Sequence, residues 1–210
     1  MLIVFDVNET LSDMSPLADR FASAGAPELL SRVWFASVLR DGFAFAATGE
    51  FRGFSSIGRS VLATMGLGAV ADEILSAFGS LDVHPDVVPG VRALTAAGHR
   101  LVTLSNGSAS VAESLLGRAG IRDSFEQLLS VDDAGIWKPA RGAYHYGLER
   151  TGVRADEAVL VAVHPWDIHG AARAGLRTAW LDRDGVAYPD VFETPTWRIA
   201  SLEELPAAVR

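Results

Sequence analysis

Cysteine is absent from the 210 residues of the chain. Disulfide bonds, thiolate catalysis and cysteine-ligated metal sites are therefore excluded. Basic residues are few, with 18 Lys and Arg against 26 Asp and Glu, and the formal net charge is −8. This charge argues against nucleic acid or an anionic membrane as a partner. An anionic ligand would have to be attracted by local basic groups and backbone N–H donors.

Long apolar runs are also missing. No stretch reaches the roughly 18 apolar residues that a membrane helix needs. The chain opens directly on an apolar strand pattern, without the basic leader of a secretory signal. We expect a cytoplasmic protein whose ligand is a small molecule.

Hydrophobic residues make up 49% of the chain, enough for a packed core. The segments with the pattern of buried strands are Met1 to Phe5, Leu101 to Leu104, Val159 to Val163, Thr178 to Leu181 and Trp197 to Ala200. The helical patterns between them are Val91 to Ala97, Ser110 to Ala119, Ala143 to Arg150 and Ile168 to Ala174. Strands that alternate with single helices predict an α/β fold with a Rossmann-like parallel sheet, formed by residues 1–12 and 85–210.

Residues 13–84 interrupt this alternation and contain no strand pattern. Apolar residues recur at helical spacing after Pro27, and again from Ile57 and from Val70. We expect an inserted helical cap domain over the carboxyl edge of the sheet, where it could close on a substrate. The alternative is a helical hairpin with a purely structural role.

Polar side chains follow the strands of the predicted core or precede its helices. They are Asp6, Asn8, Thr10, Ser105, Asn106, Lys138, His164 and Asp167. In a parallel sheet the carboxyl ends of the strands face one crevice, so we expect these groups to meet there. A buried carboxylate such as Asp6 needs partners of this kind, unless it only caps the following turn.

Four strings carry a resemblance to a known family. FDVNETL, LVTLSNGS, IWKPARGAY and VAVHPWD resemble, in order and spacing, the motifs of the haloacid dehalogenase superfamily. Within it, the helical insert and the strings are similar to the type II (S)-2-haloacid dehalogenases over nearly the whole chain. The resemblance implies a hydrolase that cleaves the carbon–halogen bond of small 2-haloalkanoic acids through an aspartyl ester. It further implies no metal or other cofactor, and a homodimer.

The resemblance also implies roles for individual residues. Asp6 would be the nucleophile, a carboxylate that splits one difficult step into two. Thr10 would fix its rotamer, and Lys138 would keep it ionised and help to bind the anionic substrate. Ser105 would bind the substrate carboxylate together with backbone N–H groups, and Asp167 would orient the lysine or the hydrolytic water. The alternatives are a hydroxyl that satisfies backbone for Ser105 and a helix N-cap for Asp167.

The remaining matched positions concern the leaving group and the walls of the site. Asn106 and Trp166 occupy positions that cradle the departing halide in similar enzymes. Tyr144 matches a tyrosine of the family's substrate site. For Trp166 and Tyr144 the alternative is packing in the core.

Two departures from the family pattern concern cations. The dehalogenases have an arginine directly after a tryptophan in the long cap helix, whereas here Trp34 is followed by Phe35. Arg32 lies three residues before Phe35 and could replace that cation, or could be a solvated helix residue. The fourth motif has His164 where asparagine is usual and Ala162 where serine is usual. The imidazole could accept a proton from water, donate to the ester carbonyl, or only bond a neighbouring loop.

The first motif departs as well. Asn8 stands where the family has tyrosine and is expected to contact substrate, while Glu9 stands where glycine is usual and is expected to point outward. A phosphatase of the superfamily is the alternative function. It needs an aspartate two residues after the nucleophile and a further acid for magnesium, where this chain has Asn8 and Val163. A non-catalytic relative that binds a small acid, and an ester mechanism on another leaving group, stay open.

Overall fold

The computed structural model describes residues 1–209, and its centre is a six-stranded sheet in which every neighbouring pair is parallel. The strands are β1 (Leu2–Phe5), β2 (Arg100–Ser105), β3 (Gln127–Ser130), β4 (Ala158–Ala162), β5 (Arg177–Leu181) and β6 (Trp197–Ile199). Their order is β3-β2-β1-β4-β5-β6. The predicted α/β class and parallel sheet are confirmed.

Helices connect the strands and cover the sheet. In chain order they are α1 (Leu17–Ser23), α2 (Leu30–Thr48), α3 (Phe54–Thr64), α4 (Ala71–Phe78), α5 (Val87–Ala96), α6 (Ala109–Arg118), α7 (Val131–Ala134), α8 (Arg141–Thr151), α9 (Pro165–Arg173) and α10 (Leu205–Ala208). Within residues 1–209, none of them combines the length and apolar character that a membrane crossing would require.

Four short elements, β3, α1, α7 and α10, have no counterpart among the segments predicted from sequence. β3 has four residues and its first two are only half-buried, because it forms one edge of the sheet. α1 has seven residues, of which Leu17 and Phe21 are buried. Short elements with one or two buried residues do not show a clear hydrophobic period.

The central strands are buried on both faces. Along β1, Ile3 and Phe5 belong to one hydrophobic cluster, while Leu2 and Val4 belong to another on the opposite face. A parallel strand covered by helices on both sides therefore reads as a continuous apolar run. This is why β1 was recognisable from sequence.

Helices α1 to α4 follow β1 and share a third cluster around the buried Trp34. The indole N–H of Trp34 donates to the carbonyl of Gly58 at 3.0 Å. Ser12 and Val83 pair in an isolated antiparallel bridge where the chain leaves and re-enters the core. The division into a cap of residues 13–84 and a core of residues 1–12 and 85–210 stays a prediction.

The strand order places the functional crevice. β1 is hydrogen-bonded to β2 on one side and to β4 on the other, so the chain winds in opposite directions from β1. In open α/β sheets ligands bind at such a switch point, beyond the carboxyl ends of the strands. Asp6 follows β1 and His164 follows β4 within two residues of its end, so both lie at this point.

Candidate active site

Asp6 is the first residue after β1, and its backbone N–H still continues the sheet by donating to the carbonyl of Val161 at 3.0 Å. Its side chain is almost fully buried. Lys138 Nζ donates to Oδ1 at 2.9 Å, and the Thr10 hydroxyl donates to Oδ2 at 2.7 Å. His164 Nδ1 lies 3.2 Å from Oδ2. The carboxylate is thus held by three donors.

Lys138 joins two carboxylates at the base of the crevice. Its Nζ lies 2.9 Å from Asp6 Oδ1 and 2.6 Å from Asp167 Oδ2, and its side chain is inaccessible to solvent. Lys138 is the only lysine in the chain. Asn106 fixes the lysine backbone, because its amide accepts from Lys138 N at 2.9 Å and donates to Lys138 O at 3.1 Å.

These contacts determine the charge on Asp6. Burial alone would raise the pKa of Asp6, but the positive charge of Lys138 and the hydrogen bonds from His164 and Thr10 hold it well below the usual range. Burial likewise opposes the charge of Lys138, yet Asp167 and Asp6 together raise the pKa of the ammonium. The pair is therefore ionised at neutral pH, as a nucleophilic carboxylate requires.

Asp167 lies in the first turn of α9 and is fully buried. Burial is the main cause that raises its pKa, the charge of Asp6 adds to it, and Lys138 opposes it. The N-cap of α9 is His164, so the alternative of Asp167 as N-cap is wrong. Its Oδ1 accepts from the hydroxyl of Tyr144 at 2.6 Å.

Tyr144 lies behind Asp167 and is 1% exposed. Its assignment as a substrate-binding residue stays a prediction. Its hydroxyl fixes the second oxygen of Asp167, so that both oxygens of that carboxylate have donors. Tyr144 supports the lysine–aspartate pair from inside the core.

We expect Tyr144→Phe to lower the free energy of unfolding by about 1–3 kcal/mol, because Asp167 loses a donor while its charge stays buried. Urea unfolding at neutral pH measures the change. Tyr146→Phe is the matched control on the same helix, since the Tyr146 hydroxyl makes only an exposed 3.4 Å contact with Asp133. Equal stability of the two variants would contradict a supporting role for the Tyr144 hydroxyl.

His164 bridges Asp6 and Glu9. Its Nδ1 lies 3.2 Å from Asp6 Oδ2, and its Nε2 lies 2.8 Å from Glu9 Oε2. Burial would lower the pKa of His164, but the hydrogen bonds to Asp6 and Glu9 raise it to about 9. The ring is therefore an imidazolium at neutral pH, which does not suit the predicted role as acceptor of a proton from water. The prediction that Glu9 points outward is wrong, although 40% of its side chain stays accessible.

Arg32 does not supply the missing cation. It is exposed on α2, and within residues 1–209 it forms no ion pair or side-chain hydrogen bond. Phe35 is the buried residue on that side, with its ring centroid 6.1 Å from that of His164. The cations next to Asp6 are thus Lys138 and His164.

Aromatic and polar side chains surround His164 and the end of β1. Trp166 is half-buried, with its ring 5.0 Å from those of Phe43 and His164. Asn8 is buried, and its side-chain amide packs against Gly107. A Cβ added to this glycine would lie 3.4 Å from Asn8 Nδ2. Phe35 and Trp166 lie next to His164, which contacts Asp6, and we expect both of them, together with Asn8, to contact the substrate.

Ser105 and Asn106 at the end of β2 make contacts within the protein. Ser105 Oγ accepts from the backbone N–H of Gly107 at 2.9 Å, which leaves its own hydrogen free to donate. The Asn106 amide donates one N–H to the backbone carbonyl of Lys138, and its oxygen accepts from the backbone N–H of Lys138. Its second N–H can donate to a departing anion. Ser105 therefore makes the hydrogen bond with the backbone that was the alternative to substrate binding. Its hydroxyl hydrogen can still donate to a substrate carboxylate.

No sequence pattern indicated the side chains that bind the backbone of the loop after Asp6. Arg183 donates to the carbonyl of Thr10 at 3.0 Å and pairs with Asp86 at 2.9 Å. His84 Nε2 lies 3.0 Å from the carbonyl of Glu9. These residues are distant from the loop along the chain and belong to none of the four motifs, so no local signal identifies them. Among residues 1–209, no group of three or more His, Asp or Glu is arranged to hold a metal ion.

Comparison with known proteins agrees with this geometry. A family model described as haloacid dehalogenase-like hydrolase matches residues 1–175. The (S)-2-haloacid dehalogenase H-109 of Pseudomonas putida is 27% identical over 97% of this chain and 95% of its own. Haloacetate dehalogenase H-2 of Moraxella sp. (strain B) is 34% identical over 60% of this chain and 56% of its own.

Solved structures agree over the full length. The L-2-haloacid dehalogenase of Xanthobacter autotrophicus, solved with chloropropionic acid covalently bound, superposes with a TM-score of 0.89. It is 26% identical, and the match covers 100% of this chain and 98% of that one. With the family model matched over most of the sequence, and Asp6 and Asp167 both in contact with Lys138, the chain belongs to the haloacid dehalogenase-like hydrolases.

Proposed function

We propose that this protein is an (S)-2-haloacid dehalogenase, which hydrolyses the carbon–halogen bond of small 2-haloalkanoic acids through an ester on Asp6. The observation that carries the proposal is the state of Asp6: a buried, ionised carboxylate at the switch point of the sheet, held by Lys138, Thr10 and His164. The names of the aligned relatives, haloacid and haloacetate dehalogenases, support the same substrate class.

The first step assigns the two oxygens of Asp6 different roles. A carboxylate oxygen has about two acceptor positions. Oδ2 uses both, for Thr10 and His164, whereas Oδ1 accepts only from Lys138. Oδ1 is therefore the nucleophile: its lone pair forms a bond to the α-carbon of the acid, and halide leaves with the electrons of the carbon–halogen bond.

The second step hydrolyses the ester. Water attacks Cγ of Asp6 and gives one of its protons to a base. When the bond between Cγ and Oδ1 breaks, Oδ1 departs as the hydroxyl oxygen of the 2-hydroxy acid and takes that proton back from the base. The second proton of the water is released to solvent, so Asp6 regains its carboxylate with one oxygen from water. Asp167 is the proposed base, because its pKa is raised while that of Asp6 is lowered.

The donor set supports chemistry without a metal ion. All four oxygens of Asp6 and Asp167 already accept from Lys138, Thr10, His164 or Tyr144. A divalent cation would have to displace the ammonium of Lys138 or the imidazolium of His164. Magnesium also prefers six oxygen ligands in octahedral array, and Asn8 replaces the acid that superfamily phosphatases need.

The substrate space supports a small substrate. Asp6 is 3% exposed and the cap helix α2 places Phe35 and Phe43 next to His164 and Trp166. In our proposal Ser105 and the nearby backbone bind the carboxylate, Asn106 and Trp166 receive the halide, and movement of the cap admits the acid. A cytoplasmic location and a homodimer stay predictions.

Halide release from chloroacetate, bromoacetate and racemic 2-chloropropionate tests the proposal. We expect turnover in the presence of EDTA, with consumption of the (S) enantiomer of 2-chloropropionate and formation of the inverted hydroxy acid. Ion chromatography measures the halide, and chiral chromatography measures the acids.

Two results would contradict the proposal. Release of halide only after magnesium is added would return the metal to the mechanism. Cleavage of a phosphate ester such as p-nitrophenyl phosphate, with no halide release from any of the acids, would favour the phosphatase alternative.

A further inference from the structure

Glu9 has a backbone conformation that is unfavourable for its residue type. Its φ is 61°, and it is the only non-glycine residue with positive φ among residues 1–209. A Cβ is penalised in this left-handed region, where glycine is not. The conformation is held on both sides, since Glu9 N donates to Ser12 Oγ at 3.3 Å and Glu9 O lies 3.0 Å from His84 Nε2. A side chain at this position needs a reason.

The carboxylate of Glu9 supplies that reason through His164. The imidazole contacts Glu9 Oε2 at 2.8 Å and Asp6 Oδ2 at 3.2 Å. Ionised carboxylates accept hydrogen bonds but cannot donate them, so both ring nitrogens must carry hydrogen. The ring therefore makes both contacts only as an imidazolium, and Glu9 fixes which nitrogen faces Asp6.

Among residues 1–209, no other charged group is in direct contact with His164. Phe35 and Trp166 cover the ring with neutral aromatic groups. Lys138 and Asp167 lie beyond Asp6, with Lys138 on its other oxygen. Asp6 and Glu9 are thus the charged groups that face His164.

This geometry matters most after Asp6 has been alkylated. If Oδ1 becomes the ester oxygen, as in the proposed function, Oδ2 becomes the carbonyl oxygen. Attack of water on Cγ then places negative charge on Oδ2, where His164 Nδ1 and the Thr10 hydroxyl are already directed. Donors placed in advance where charge develops are a major source of catalysis.

We propose that His164 and Thr10 form the oxyanion hole for hydrolysis of the Asp6 ester, and that Glu9 is the positioning residue that holds His164 in it. The inference rests on the proposed function, because it assigns roles within the second step. It joins two departures from the family pattern, Glu9 for glycine and His164 for asparagine, into one functional unit.

The test separates the two steps by rapid quench with 2-chloropropionate. In Glu9→Ala and His164→Asn we expect a burst of about one equivalent of chloride, followed by slow turnover. Intact mass spectrometry should show the enzyme carrying one carboxyethyl group, and the ester should map to Asp6. We expect ester hydrolysis to fall about 100-fold in His164→Asn and about 10-fold in Glu9→Ala, in line with the loss or misplacement of one oxyanion donor.

The pH profile distinguishes positioning from a structural role. In the wild type the rate of ester hydrolysis should fall as the pH rises through the pKa of His164 in the ester, which lies below the value of about 9 in the free enzyme because alkylation removes the charge of Asp6. Glu9→Gln and Glu9→Ala should move this fall to lower pH, because the carboxylate that favours the charged ring is gone. Glu149→Gln, an exposed acid on α8, is the control and should leave the profile unchanged.

Glu9→Gly should lower the rate of ester hydrolysis while relieving the backbone conformation at this position. Like Glu9→Ala it should slow ester hydrolysis, but its melting temperature should exceed that of Glu9→Ala by about 2–4 °C, because glycine tolerates the positive φ. In the His164→Asn background, Glu9→Gly should cause no further loss of rate, since the two residues act together.

Three outcomes would overturn the inference while leaving the proposed function intact. The first is that the wild type releases halide and Glu9→Ala hydrolyses the ester at the normal rate. The others are additive effects of Glu9→Gly and His164→Asn on that rate, and a pH profile that does not shift in Glu9→Gln or Glu9→Ala. If the wild type releases no halide from any acid, the proposed function itself fails. Melting temperatures of all variants identify any that do not fold, and for such a variant Glu9→Gln carries the test.

Discussion

Asp6→Asn is expected to reduce halide turnover by about 10⁴-fold or more, because an amide cannot form the ester that the proposed mechanism requires. The fold should persist. The amide oxygen can still accept a hydrogen bond, and Lys138 keeps its contact with Asp167 at 2.6 Å. Steady-state halide release, with circular dichroism to verify folding, measures the effect.

A single turnover in heavy-oxygen water identifies the bond that breaks. Water adds to Cγ of Asp6, so the label should appear in the peptide that contains Asp6, and the first equivalent of hydroxy acid should be unlabelled. Asp184→Asn, an exposed aspartate outside the crevice, is the control and should retain full activity. Label in the first product molecule would show direct attack of water on substrate, and undiminished turnover by Asp6→Asn would place the nucleophile elsewhere.

Lys138→Met should be the most destabilising change in the site. Methionine matches the length of the lysine stem but leaves Asp6 and Asp167 buried next to each other without their shared cation. Removing one partner of a buried ion pair costs about 3–5 kcal/mol. We also expect dehalogenation to be lost, since repulsion between the two carboxylates favours protonation of the nucleophile. Chemical denaturation and halide release measure the two effects.

The pH dependence of stability should become steeper in this variant. In the wild type the lowered pKa of Asp6 contributes stability above about pH 4 that is lost as the pH falls further, while the raised pKa of Asp167 acts in the opposite direction. Without Lys138 the folded-state pKa values of both carboxyl groups should lie above their unfolded values. Lys138→Met should therefore regain more stability than the wild type as the pH falls from 7 towards 4.

Arg100→Met is the matched control for the removal of a cation. Arg100 pairs with Glu126 at 2.9 Å, but both side chains are at least 40% exposed. An exposed pair of this kind contributes about 0–1 kcal/mol, and its loss should leave the pH dependence as in the wild type. A Lys138→Met variant no less stable than Arg100→Met would contradict the charge assignment of the buried site.

The first motif shows how far sequence reasoning extended. Asp6 and Thr10 are four residues apart, and the contact between their side chains follows from a strand that ends in a tight loop. The apolar run before Asp6 already predicted a buried strand at a sheet edge where ligands bind. Burial of a carboxylate required partners, and the other strand ends supplied candidates. The resemblance to the dehalogenases then assigned them roles.

The same reasoning failed for Glu9. Glu9 was expected to point outward because a further acid near an anionic site appeared unfavourable. That expectation omitted the imidazolium of His164, whose position is decided 155 residues later in the chain. The contact between the Tyr144 hydroxyl and Asp167 was not predicted either, because it depends on how α8 packs against α9, and the assignment of Tyr144 to substrate binding stays a prediction.

The amino-acid sequence by itself determined the parallel α/β class, the helical character of the segment after the first strand and the set of polar groups at the carboxyl ends of the strands, because burial and helix or strand period are local properties. Tertiary structure decided which of these groups touch. The order of the strands brings Lys138 to Asp6 across 132 residues and His164 between Asp6 and Glu9. Charge states and hydrogen bonds change steeply over a fraction of an ångström, and only the packed chain defines distances on that scale.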